Sequence, residues 1–138
     1  MAKRTIESIE PFLTFQGRAE EALEHYADAF PTAKITEKTL YGKDEPGHEG
    51  KIHQAVLAIG EHRIRVFDGP MVPGFHFSSA FSFFVEINGA GKLDAIAGKL
   101  GAGGEVKMEA GEYAFAERYT WLADKFGVNW QLIHGPKA

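Results

Sequence analysis

The residues with the most chemistry to offer are six histidines, the Arg63/Arg65 pair, the glutamines at 54 and 131, and a glycine run at 101–104. His48-Glu49 with His53 has the outline of a zinc-protease helix. The two histidines stand five residues apart rather than four, and Pro46-Gly47 puts His48 in a loop, so the imidazoles do not share a helix face. They read as loop and strand-edge histidines. His76 and His134 are isolated in the sequence; either could line a cavity, although a lone histidine is most often satisfied or exposed. No cysteine is present, which excludes a disulfide framework, a thiol nucleophile and Cys-ligated zinc. No Gly-x-Ser-x-Gly elbow exists for a hydrolase triad. Gly101-Ala102-Gly103-Gly104 closes a helix and precedes a strand, the reverse of a nucleotide or S-adenosylmethionine loop, so it is expected to be a C-cap and turn.

The remaining composition bounds the answer. The 138 residues suit a single domain, and 44% hydrophobic with 25% charged residues is a globular mix. Fifteen Lys and Arg face 19 Asp and Glu, for a net charge of −4. Nucleic acid is thereby disfavoured as a partner, since phosphate binding needs clustered positive charge. No stretch approaches the ~20 apolar residues of a membrane span, and Met-Ala-Lys-Arg-Thr leads into no signal-like apolar core. No membrane partner and a cytoplasmic location are the expectation. Sixteen glycines and 11 phenylalanines point to a sheet-rich fold with tight turns.

Strand character appears over Ile6–Phe15, and helical spacing follows over Arg18–Phe30, with Leu23, Tyr26, Ala27 and Phe30 on one face before Pro31 stops it. Ala33–Tyr41 is strand-like. Ile52–Ile59 and His62–Asp68 form a hairpin about Gly60-Glu61. The order then recurs: a strand at Phe81–Ile87, then Leu93, Ile96, Ala97 and Leu100, each 70 residues after its counterpart in the first helix. Strands at Glu105–Glu109, Tyr113–Leu122 and Asn129–His134 complete the repeat. The closings match too, Arg65-Val66-Phe67-Asp68-Gly69-Pro70 against Gln131-Leu132-Ile133-His134-Gly135-Pro136. The chain reads as one domain over 1–138 holding two βαβββ modules, 6–70 and 75–136.

Alternation across the strands assigns the faces. Ile64 with Val66, Ala55 with Leu57 and Ile59, and Trp130 with Leu132 belong under the helices. The opposite face carries Gln54, Arg63, Arg65, Phe67, Asn129 and Gln131, joined by Leu13, Phe15, Ser82, Phe84 and Glu86. A curved sheet with such a face makes a concavity with apolar walls and a few polar anchors, suited to a small molecule. A solvated face or a dimer contact is the competing reading. Arg65 supplies fixed positive charge for an anion, or pairs structurally with Glu86 or another acid. The aromatic run Phe75, Phe77, Phe81, Phe83 and Phe84 is expected mostly in core and dimer packing, and Glu20, Glu21 and Glu24 on a solvated helix face.

The doubled βαβββ order resembles the vicinal oxygen chelate superfamily of glyoxalase I, extradiol dioxygenases and bleomycin-resistance proteins. Pro11-Phe12-Leu13-Thr14-Phe15 followed by Ala19-Glu20-Glu21-Ala22, Gly50-Lys51-Ile52, the Asp68 close of the hairpin, and Asp124-Lys125-Phe126-Gly127-Val128-Asn129-Trp130-Gln131 look like its PhnB-like branch. That branch often carries the label 3-demethylubiquinone-9 3-methyltransferase. The resemblance implies an α+β fold of tandem βαβββ modules forming a curved mixed sheet with helices outside. It also implies a homodimer, with exchange of modules between subunits as one arrangement. Metal-dependent members place four ligands on the first and last strands of each module, which match Pro11, Arg65, Ser82 and Gln131 here. Pro and Arg do not bind a divalent cation, Ser binds it poorly, and only Gln131 is suited. The histidine that the branch tends to carry in the third strand is Gln54 in this chain.

The function expected from these residues is metal-independent binding of a small anionic or aromatic molecule, with no cofactor. Gln54, Arg65 and Gln131 are the expected anchors, and Phe15, Phe67, Phe84 and Trp121 the walls. The alternative is an isomerase, lyase or dioxygenase of the superfamily with a rearranged divalent-metal site using Gln131, Gln54 and a histidine such as His76. The methyltransferase activity of the family label is the third reading, and the glycine run offers it no loop.

Overall fold

The computed structural model describes residues 4–45, 48–69 and 76–137. Among these residues eight strands and two helices follow the expected order: β1 (Phe12–Phe15), α1 (Ala19–Ala29), β2 (Ala33–Leu40), β3 (Ile52–Ile59) and β4 (His62–Asp68). The second set is β5 (Ser82–Glu86), α2 (Ala90–Leu100), β6 (Glu105–Tyr113), β7 (Ala116–Ala123) and β8 (Asn129–Pro136). They form two four-stranded sheets, ordered β1-β4-β3-β2 and β5-β8-β7-β6. Each is mixed, because its first strand runs parallel to its last while the others are antiparallel. The expected α+β fold of tandem βαβββ modules is therefore present, each unit holding one open, mixed four-stranded sheet among the described residues. The chain divides into two compact units, Met1–Val72 and Pro73–Ala138. Pro70 and Phe75, which bound the expected modules, lie outside the described residues, as do Pro46 and Gly47.

In the first unit α1 buries Ala19, Ala22, Leu23 and Tyr26, and the sheet contributes Leu13, Phe15, Ala55, Leu57, Ile64 and Val66. Arg18 gives the helix no side-chain cap. The buried carboxylate of Asp68, at the end of β4, takes over: its Oδ1 accepts from the backbone N–H of Gly17 and Ala19 at 2.8 and 3.0 Å, and its Oδ2 from Ile52 N–H at 3.0 Å. One carboxylate thus ties the ends of β4 and β3 to the start of the helix, where a negative charge also meets the positive end of the helix dipole.

The second unit solves the same problem with different chemistry. Leu93, Ile96 and Leu100 of α2 are buried with Leu122, Trp130 and Leu132 from the sheet, and Phe83 stacks on Trp130 at 4.6 Å. At the position matching Asp68, His134 Nδ1 accepts from Gly89 N–H at 2.9 Å. Asp124 accepts from Phe126 and Val128 N–H at 2.9 and 3.1 Å and from Trp130 Nε1 at 2.9 Å, which pins the turn into β8.

Candidate functional site

The parallel β1/β4 register places Phe12 beside Arg65 and Thr14 beside Phe67. On the other side Val56 pairs with Arg65, so Gln54 shares the face of Arg63, Arg65 and Phe67. That face points away from α1. It holds a cavity of about 260 Å³ lined by Phe12, Tyr41, His53, Gln54, Arg65 and Phe67, with Ala55 and Val66 closing it. The rings of Phe12 and Phe67 meet edge-on at 5.0 Å.

Arg65 is held in place without being used up. Its Nε donates to Glu10 Oε1 at 2.8 Å, while Arg63 Nε donates to Glu10 Oε2 at 2.7 Å and Arg63 Nη2 to Glu37 at 3.0 Å. The hydrogen bond from Arg65, helped by Arg63 and opposed by partial desolvation, holds the Glu10 carboxyl below the usual carboxylate range. Among the described residues no partner takes the two terminal nitrogens of Arg65, and 43% of its side chain is exposed. A guanidinium oriented through Nε leaves its outer N–H groups for a carboxylate or similar anion. Its acidic partner is Glu10, just before β1.

Phe15 is a correction. It is 3% exposed and lies with Leu13 on the face shared by Val66 and Asp68, towards α1. Phe12 and Thr14 occupy the face expected for Leu13 and Phe15, because a four-residue strand apolar at almost every position gives alternation nothing to choose between. Phe12, 56% exposed, is the wall residue that sequence reasoning missed.

The open face of the second sheet carries Ser82, Phe84, Trp121, Asn129 and Gln131 in one set of registers. Gln131 is engaged at both ends of its amide: Tyr119 Oη donates to Oε1 at 2.5 Å and Nε2 donates to Ser82 Oγ at 2.8 Å. Trp121 Nε1 donates to Asn129 Oδ1 at 3.0 Å. Burial raises the Tyr119 phenol above its ordinary range, with Tyr113 adding to the shift. Phe84 stands 62% exposed. Phe81 is also exposed, Phe83 stacks on the buried Trp130, and Phe75 lies outside the described residues. His76 is exposed and His134 caps α2.

The residues at the superfamily's ligand positions do not make a divalent-cation donor set. In the first unit Pro11 has no side-chain donor atom and Arg65 brings a positive charge. In the second, Ser82 and Gln131 satisfy one another. Among the described residues no group of three or more His, Cys, Asp or Glu side chains could hold a metal ion. No helix among them is long and apolar enough to cross a membrane.

Comparison with known proteins places this geometry. A PhnB protein from Bacillus cereus, described as a putative 3-demethylubiquinone-9 3-methyltransferase, is 32% identical over 94% of this chain and 100% of its own, with a TM-score of 0.88. Protein PA1353 from Pseudomonas aeruginosa shares the fold at 24% identity and a TM-score of 0.83, over 94% of this chain and 98% of its own. The fosfomycin resistance protein FosX from Listeria monocytogenes, in complex with Mn(II) and a dihydroxypropylphosphonic acid, has the fold at 14% identity and a TM-score of 0.63, covering 95% of this chain and 94% of its own. No curated protein matches. The model of the 3-demethylubiquinone-9 3-methyltransferase family matches residues 7–133, and this chain belongs to that family.

Proposed function

We propose that the chain binds a small anionic molecule without a metal, in the cavity on the open face of its first sheet. The observation that carries the reading is Arg65, fixed through Nε by Glu10 and lining a cavity of about 260 Å³ whose walls include Phe12 and Phe67. Gln54 is a further polar group lining the cavity, exposed and without a side-chain hydrogen-bond partner among the described residues. The volume lies below the roughly 300–1,000 Å³ of pockets for drug-sized ligands, so a compact ligand fits the space. Phe84, Trp121 and Gln131 form a separate polar–aromatic strip on the second sheet, for which we propose a contact role of the same kind. We also infer a homodimer, supported by the exposed Phe81 and Phe84 at the edge strand β5; light scattering measures it directly.

The glycine run gives the methyltransferase activity in the family's description no loop to rest on. The run Gly101–Gly104 follows α2 and turns into β6, with Gly104 N–H donating to the carbonyl of Gly101 at 2.9 Å. The test is thermal melting with benzoate as the probe anion and, separately, with S-adenosylmethionine. Benzoate is expected to raise Tm saturably, since a native-state ligand at a hundred times its Kd adds about 2.7 kcal/mol. Arg65→Ala removes the rise while leaving the unliganded Tm within a few degrees. An equal rise in the variant, or a saturable shift with S-adenosylmethionine alone, overturns the reading.

A further inference from the structure

The β2/β3 ladder breaks at one point beside the cavity. Thr39 pairs with Gln54 and Leu40 pairs with Ile52, so His53 is an extra residue opposite the Thr39–Leu40 step. A bulge of this kind bends the strand and re-aims a side chain. In an unbroken strand His53 would follow Ala55 and Leu57 towards α1. Instead its ring lies 4.8 Å from that of Tyr41, in the wall of the Arg65 cavity. The Tyr41 hydroxyl is committed, donating to the carbonyl of Asp68 at 2.9 Å. The imidazole has no hydrogen-bond partner among the described residues and is half-buried.

Resting on the binding site proposed above, we infer that His53 is a second polar anchor and that the ligand is a planar aromatic carboxylate bearing a ring hydroxyl, its carboxylate on Arg65 and its hydroxyl on His53. Arg65 pairs with Val56, three residues along β3 from His53. The two anchors therefore stand roughly 10 Å apart along the strand at the backbone, a gap that two converging side chains and one ring fill. The rings of Phe12, Phe67 and Tyr41 give that ring flat apolar neighbours. A planar fork suits a carboxylate. A neutral imidazole offers both a donor and an acceptor, so it receives a hydroxyl in either tautomer. A compact spherical anion satisfies Arg65 but reaches no second anchor.

Titration calorimetry with benzoate, 4-hydroxybenzoate and cyclohexanecarboxylate tests this on the wild type, Arg65→Gln and His53→Phe, the last keeping a ring against Tyr41. The wild type is expected to bind 4-hydroxybenzoate about tenfold more tightly than benzoate, the equivalent of one hydrogen bond at about 1.4 kcal/mol. His53→Phe binds both at the benzoate affinity, Arg65→Gln loses both, and cyclohexanecarboxylate binds more weakly than benzoate throughout. His53→Gln, which keeps a hydrogen-bonding group, retains part of the preference and replaces His53→Phe should that variant melt early. Benzoate binding that depends on Arg65, with a hydroxyl preference absent or untouched by His53→Phe, overturns the inference and leaves the anion site standing. Cyclohexanecarboxylate bound as tightly as benzoate overturns the aromatic class. Failure of every probe to bind brings down the anion site itself.

Discussion

Glu10 bridges two arginines, and that single carboxylate decides what Arg65 can do. Without it the guanidinium would swing through solvent; with it, one edge is fixed and the other is presented. Because its hydrogen bond to Arg65, with help from Arg63, depresses the Glu10 carboxyl, the charged form is the one that the fold favours. The sign follows from linkage. Stability from this group is fully present above the pKa of an unfolded glutamate, about 4.3, and drains away as pH falls through the lower folded value. Glu10→Gln is therefore expected to lower the urea midpoint slightly at pH 7, the difference shrinking towards zero as pH is taken below 4. The effect is small because Arg63 and Arg65 are 39% and 43% exposed, and partly solvated pairs contribute little. A difference that stays constant down to low pH would assign the loss to packing instead. Arg65 was visible in the sequence as a fixed charge on an open face, but its partner was not. Glu10 precedes the short β1 and carries no alternation signal, and nothing in the spacing brings it near residue 65.

The elements were legible where period and punctuation agree. Ile52–Ile59 and His62–Asp68 match the observed strands end for end, since Gly60, at φ +61°, marks the hairpin between two clean alternations. β1 was over-long and misfaced, because Ile6–Phe15 mixes polar and apolar residues without period and its last five are nearly all apolar. The bulge at His53 was invisible, as one residue inserted in a ladder leaves no trace in a single strand's pattern. The glycines in and after α2 show how residues of one type serve different local ends. Gly98, in the exposed face of α2, has nothing within contact of an added Cβ. A Cβ on Gly104 would strike the carbonyl oxygen of Ala123 and lie 2.8–2.9 Å from the backbone of Asp124. Gly98→Ala is expected to stabilise by roughly 0.5–1 kcal/mol through helix propensity and a less flexible unfolded chain. Gly104→Ala should cost about 2 kcal/mol or more, since backbone cannot step aside as a side-chain tip can. Urea denaturation of the two variants separates these signs. Similar small effects in both would mean that the β6/β7 start is looser than its packing indicates.

Across the whole molecule, one βαβββ plan is executed twice with different chemistry at equivalent places. Asp68 and His134 cap their helices from the end of the last strand. Arg65 and Gln131 hold the matching central position of that strand, one bound to a carboxylate and the other to a hydroxyl pair. Duplication fixes the scaffold, and substitution at the open-face positions then sets the chemistry, which explains why fold was legible from period while function needed individual contacts. The same substitutions govern metal affinity. A cation entering the first unit's open face would meet the Arg65 guanidinium beside the lone imidazole of His53 and the Gln54 amide, a repelling charge and too few donors to hold it. In the second unit it would have to displace hydrogen bonds of 2.5 and 2.8 Å on Gln131. The expected outcome is a Tm unchanged within about a degree after chelator treatment and on adding Mn²⁺, Ni²⁺, Fe²⁺ or Zn²⁺. A bound metal at a hundred times its Kd would supply about 2.7 kcal/mol, several degrees for a chain of this size on a scale of roughly 2–8 °C per kcal/mol. A rise with one of the four, abolished by Gln131→Ala, would restore the rearranged-metal reading and make isomerase and dioxygenase assays the next experiment.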